Sequence, residues 1–129
     1  MNALRLSDLT TTAVGGPAAA LVEAGSEEEL LSAVAAADDA AQHVLLVGGG
    51  SNILACEQPF EGMVVHVASR GVVVVDEADS QVLVEVAAGH PWDDVVRETV
   101  AQGLAGLETL AGIPGTAGAT PVQNVGAYG

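Results

Sequence analysis

Two stretches of this chain combine residue types that suit ligand chemistry. The first is Gly48-Gly49-Gly50-Ser51-Asn52, directly after an apolar run. The second runs from Gly112-Ile113-Pro114-Gly115-Thr116-Ala117-Gly118-Ala119-Thr120-Pro121 through Val122-Gln123-Asn124-Val125-Gly126-Ala127-Tyr128-Gly129, and no charge occurs after Glu108. Glycine brings backbone N–H groups within reach of a ligand and permits the positive φ that lets successive N–H groups cup an anion. Ser, Thr, Asn and Gln add neutral donors. Together they suit a large, flat, partly anionic ligand. A pyrophosphate fits the first loop. The dinucleotide fingerprint of a Rossmann domain does not, because Gly48-x-Gly50 is followed by Ile53 where a third glycine is required. Taken alone, the loop reads equally as a glycine turn joining strands. The second stretch stops at Gly129, inside its own pattern, which predicts an incomplete domain.

Composition narrows the chemistry. The chain has 129 residues, half of them apolar, enough for one aliphatic core. Its net charge is −14, with Arg5, Arg70 and Arg97 as the only cations besides histidine. That balance argues against nucleic acid, whose phosphates need basic residues, and against an anionic membrane surface. The absence of lysine excludes a Walker A loop and a Schiff-base lysine. Any phosphate must therefore be held by backbone N–H groups. A single cysteine, Cys56, gives no disulfide framework and fits a cytoplasmic, reducing setting. No signal sequence opens the chain. The charge-free end is too rich in glycine and proline for a membrane span.

The elements that must position these loops follow from pattern. Residues 18–24 read as a weak strand. Ser26 with Glu29 forms a capping box, and Leu30, Leu31, Val34 and Ala37 continue a helix from about 27 to 41. The run 43–47 reads as a parallel strand buried on both faces. Strand signals cover 63–68, 72–76 and 82–87. Pro91 at a first helical position, then Val95, Val96 and Val100, gives a helix to about Gln102, stopped by Gly103. A short helical turn fits 106–110. The pattern is α+β with one early βαβ unit. It allows the two glycine-rich segments to meet around one cleft.

Other chemically capable side chains read as structural. His90 enters a helix and lacks a second metal ligand at suitable spacing. His43 and His66 sit in strand contexts, and Trp92 packs on a helix N-terminus. Asp93 and Asp94 are first-turn acids that suit the helix dipole. Arg70 is read as a solvated turn residue and Cys56 as a small buried one. Tyr128 either packs near the ligand or lacks its partners. No metal site is expected.

Three segments in order carry a family resemblance: Thr11-Thr12 with Val14-Gly15-Gly16-Pro17-Ala18; Val47 through Leu54; and Gly106-Leu107-Glu108 leading into Gly112-Ile113-Pro114-Gly115 and Pro121 through Gly129. In these the chain resembles the amino-terminal part of the UDP-N-acetylenolpyruvoylglucosamine reductase family of peptidoglycan synthesis. The resemblance implies an FAD-binding domain of the vanillyl-alcohol-oxidase (PCMH) type, with a first small α+β subdomain over 1–69 and the start of a second over 70–129, and no substrate-binding domain. It implies that Gly48, Gly49, Gly50, Ser51 and Asn52 lie on the FAD pyrophosphate. Ile113, Pro114, Gly115, Gly118, Thr120, Gln123, Asn124 and Gly126 would serve the rest of the cofactor. Some relatives attach flavin covalently through a histidine near the first loop; Ser51-Asn52 here imply dissociable FAD. The family's reaction carries hydride from NADPH through FAD to an enolpyruvyl double bond, using an arginine, a serine and a glutamate that match nothing in 1–129. No catalytic residue is assigned, and the 129 residues alone are expected to be inactive. Two departures stand out: Ala13-Val14, where the family often has a basic residue, and the unusual loop 55–59. The alternatives are another FAD-dependent oxidoreductase of the same fold, such as a hydroxy-acid or sugar oxidase, and a non-catalytic nucleotide-binding domain.

Overall fold

The computed structural model describes residues 4–123, 125 and 126. The chain begins with a 3-10 turn, Leu6–Asp8, then forms β1 (Ala18–Ala24), α1 (Glu27–Asp39), β2 (Val44–Val47) and β3 (Phe60–Val67). A second group follows: β4 (Val72–Ala78), β5 (Gln81–Val86), α2 (Trp92–Ala101), a 3-10 turn at Glu108–Leu110, and α3 (Ala119–Val122).

The first three strands form a parallel sheet in the order β1-β3-β2. β1 and β2 flank α1 in sequence, as a βαβ unit requires, but β3 is inserted between them. β3 is therefore the strand buried on both faces. Val65 packs toward α1 with Ala24 and Ala33, while Val64 packs oppositely with Leu6 and Val47. β2 lies at the sheet edge, and Leu46 is exposed, which corrects the expectation that 43–47 is buried on both sides. Edge placement leaves the end of β2 accessible, and the glycine loop begins there.

α1 starts where its cap dictates. The Ser26 Oγ accepts from the Glu29 N–H at 3.2 Å, and the Glu29 carboxylate reaches one residue beyond the usual box to the Gly25 N–H at 2.8 Å. Three acids in the first turn complement the helix dipole. Ala33 and Ala37, both buried, let the helix approach the sheet closely.

β4 and β5 form an antiparallel hairpin. Asp79 and Ser80, at its tip, have φ of 49° and 67°, the pair of positive values that a two-residue turn matched to strand twist requires. α2 covers one hairpin face. Its Trp92, Val95 and Val96 pack on Val72, Val86, Leu107, Leu110, Ile113 and Ala117. Pro91 is the residue before the helix rather than its first residue. The other hairpin face exposes Val73, Val75 and Leu83.

Candidate functional site

The end of β2 delivers Gly48 to Asn52 against residues 114–116 of the charge-free stretch. A methyl group built on Gly48 would meet the Thr116 Oγ1 at 2.5 Å, and one on Gly49 would meet the Gly115 Cα at 3.1 Å. Gly50 has φ +66° and lies so close to Leu9 that no side chain fits. Its carbonyl accepts the Thr11 N–H at 3.1 Å, so the Thr11-Thr12 segment backs the loop. Across the seam, the Ser51 hydroxyl donates to the Pro114 carbonyl at 3.4 Å, and from within the second stretch the Gln123 amide donates to the same oxygen, also at 3.4 Å. The two glycine-rich segments thus converge.

Segment 114–118 is itself held by the turn before α2. Gly115 C=O accepts from Trp92 N–H at 3.0 Å, and Ala117 and Gly118 N–H donate to His90 and Ala88 carbonyls at 2.9 Å each. The His90 ring is buried. Its Nδ1 accepts the Gly71 N–H at 3.2 Å, so the ring proton sits on Nε2, 3.3 Å from a Glu98 oxygen. Its role is structural, as expected of a helix-entry residue.

The cleft beside the loop has a volume of about 170 Å³ and is lined by Gly48–Ile53, Leu46, Ala119, Val122 and Gln123. Among the described residues, the five successive N–H groups from Gly48 to Asn52 donate to no protein acceptor. Free backbone donors in succession around a positive-φ glycine are the kind of arrangement that suits an anion. All three arginines are engaged elsewhere: Arg5 with Glu57 at 2.9 Å, Arg97 with Asp93 and Asp94 at 2.9 and 2.8 Å, and Arg70 with the Gly89 carbonyl at 2.6 Å. Charge neutralisation at the loop therefore falls to main-chain dipoles. The cleft is smaller than the volume of about 300–1,000 Å³ typical of pockets that enclose a whole ligand. The remainder of such a ligand must extend out of the cleft.

The other sequence-derived candidates are placed as follows. Ile113 packs into the α2 cluster. Gly118 lies against Ala88, where an added methyl would come within 2.8 Å of its Cβ. Thr120 is buried, its hydroxyl donating to the Ala117 carbonyl at 2.7 Å. Gly126 is exposed beyond α3. Asn124, like Tyr128, lies outside the described residues. Sequence reasoning missed Thr116, whose buried side chain occupies the space over Gly48, and the backing residue Leu9. Arg70 is exposed in the turn between β3 and β4, as a solvated turn residue would be, and it also donates to the Gly89 carbonyl. Cys56 is exposed, not buried, because it lies in the loop 55–59 outside the sheet. A larger groove of about 780 Å³ lies between β5 and the end of α2. No charged side chain lines it.

Among the described residues, no group of three or more His, Cys, Asp or Glu is arranged to hold a metal, and no helix is long and apolar enough to cross a membrane.

A parallel sheet feeding a glycine loop, followed by a second α+β unit, matches a known family: residues 18–129 fit the model of an FAD binding domain. The chain belongs to this α+β family of FAD-binding domains. It is similar to the UDP-N-acetylenolpyruvoylglucosamine reductase of Saccharopolyspora erythraea, 54% identical over 79 residues that make up 61% of this chain and 22% of that protein. The reductase of the same name from Neisseria gonorrhoeae is 53% identical over the same fractions. Among solved structures, the UDP-N-acetylenolpyruvylglucosamine reductase (MurB) from Thermus caldophilus superposes with a TM-score of 0.72 at 29% identity, covering 97% of this chain and 42% of that one. The matched stretch is thus about a fifth of the curated relatives and less than half of the structural one.

Proposed function

We propose that this chain forms the FAD-holding part of an NADPH-dependent reductase that converts UDP-N-acetylenolpyruvoylglucosamine to UDP-N-acetylmuramate in peptidoglycan synthesis. The names of the relatives support the activity. The free amide row at 48–52, set against Pro114 and Gly115, is the single observation that carries the cofactor site.

In this reading Gly48 to Asn52 bind the diphosphate of a dissociable FAD through main-chain N–H groups. Pro114, Gly115 and Gln123 border the path by which the rest of the cofactor leaves the cleft. Ile113, Gly118 and Thr120 act behind that wall by fixing its backbone, and Gly126 follows α3. When bound, FAD supplies a carrier that accepts and releases hydride; the chain supplies its position and the neutralisation of its charge. No residue of this chain is assigned to protonation, so the 129 residues alone are expected to bind without turnover. The reading divides the chain into a first small subdomain over 1–69 and the start of a second over 70–129. The lone cysteine supports a cytoplasmic protein, the net charge of −14 speaks against nucleic acid and an anionic membrane as partners, and FAD, with a UDP-sugar in the intact enzyme, completes the reading.

The test is a titration of the purified chain and of the full-length reductase with FAD, followed by flavin fluorescence. Stoichiometric binding that gel filtration can reverse is the expected result. Full-length protein that binds no flavin, or that fails to oxidise NADPH with the enolpyruvyl sugar nucleotide, overturns the reading.

A further inference from the structure

We propose that Thr116 is the positioning residue of the cleft: its side chain is the spacer that fixes the distance between the two glycine loops, and it is the reason residue 48 must be glycine.

Glycines in an anion-binding loop are ordinarily explained by the approach of the ligand. The three here face protein instead. A Cβ on Gly49 would meet Gly115, and one on Gly50 would collide with Leu9. At Gly48 the obstacle is a single side chain: the Thr116 Oγ1 at 2.5 Å, with its Cβ and Cγ2 both at 3.6 Å, in ordinary contact. Real Cβ atoms do not approach to 2.5 Å, so a methyl at 48 forces the loops apart. Thr116 cannot easily yield. It is buried, and branching at Cβ restricts its χ1. Its backbone is pinned on both sides by the Trp92 N–H bond to Gly115 and the Ala117 N–H bond to His90, at 3.0 and 2.9 Å. The side chain therefore transmits the position of the α2 entry turn to the first residue of the loop. The Cβ and Cγ2 of Thr116 would leave room for a methyl at 48; an atom at the Oγ1 position would not.

That difference makes the inference testable by compensation. Gly48→Ala is expected to lower the thermal midpoint of the chain by more than about 5 °C and to weaken FAD binding at least tenfold. The double variant Gly48→Ala/Thr116→Ala should recover most of the midpoint and bring affinity to within about threefold of the Thr116→Ala single variant. Gly48→Ala/Thr116→Val, which keeps the volume at 116, should recover neither. The inference rests on the flavin reading only for its ligand readout, because the thermal arm reports on the loop contact without ligand. If wild type binds no FAD, the cofactor reading fails while the midpoints still decide the spacer role. Gly48→Ala with an unchanged midpoint overturns the spacer, as does a double variant to alanine no more stable than Gly48→Ala. Recovery of the midpoint without recovery of affinity overturns the claim that glycine is demanded by Thr116, and assigns the space at 48 to the ligand. Where Gly48→Ala does not fold, far-ultraviolet circular dichroism of the two double variants makes the same comparison.

Discussion

Gly49 and Gly115 face one another across the seam between the loops, with 3.1 Å between the Gly115 Cα and the point where a Gly49 methyl would stand. The residues are distant in sequence and no side chain separates their backbones there. Gly115 also has φ +117°, a conformation that L-residues avoid. Gly115→Ala therefore adds backbone strain of about 1–3 kcal/mol and brings a methyl 3.1 Å from the Ser51 Oγ. FAD affinity should fall by roughly tenfold or more, at 1.4 kcal/mol per tenfold, with little change in far-ultraviolet circular dichroism. An unchanged affinity in a fluorescence titration would separate this seam from the cofactor.

Trp92 ties α2 to the turn before the charge-free stretch through its Nε1–H bond to the Leu110 carbonyl at 2.9 Å. Trp92→Phe keeps much of the packing and removes this donor. The expected loss is about 1 kcal/mol, read as a fall of a few degrees in thermal midpoint. Trp92→Ala empties the centre of the α2 cluster as well, and should cost about 3–5 kcal/mol.

Ser26 caps α1 far from the cleft. Ser26→Ala should destabilise the chain by about 1 kcal/mol in denaturant unfolding. FAD binding at saturating folded protein should not change, which separates stability effects from site effects.

Glu108 is fully exposed, and its carboxyl lies below the usual value because backbone N–H groups, its own and that of Gly106, bond to it. A depressed carboxyl contributes while ionised, so the contact is present above the unfolded value and is lost as pH falls through the folded one. The Gly106 amide resonance should therefore titrate with a midpoint below the usual range of a glutamate carboxyl. Glu108→Gln should abolish that titration.

Cys56 is exposed in the native chain. One equivalent of a thiol reagent should react without denaturant, at a rate that urea raises little.

The legible parts of this fold were those encoded locally. Ser26 with Glu29, the β-branched runs at 72–76 and 82–87, and Pro91 with Gly103 mark their elements by short-range rules. The meeting of the glycine loops was legible from loop chemistry. Strand order was not, because the insertion of β3 between β1 and β2 is a long-range choice with no periodic signature, and it put β3 in the central place expected of 43–47, where Val47 is buried but Leu46 is exposed. α3 escaped notice because Ala119-Thr120-Pro121-Val122 reads as loop among glycines and prolines. Thr116 was quoted within its motif and passed over, since nothing in a sequence distinguishes a threonine hydroxyl offered to ligand from one filling the space above a distant glycine.

The bare ribbon face of β4 and β5 governs how the purified chain behaves in a tube. Val73 and Leu83 are 57% and 62% exposed, on a two-stranded sheet whose outer strand edges lack a neighbour among the described residues. Such ribbons tend to stick to one another. Mutual repulsion between copies carrying −14 each opposes that tendency. Salt weakens the repulsion, its reach shrinking to about 10 Å at 0.1 M. Shelf life should therefore be longest in dilute buffer, and light scattering should climb as sodium chloride is added.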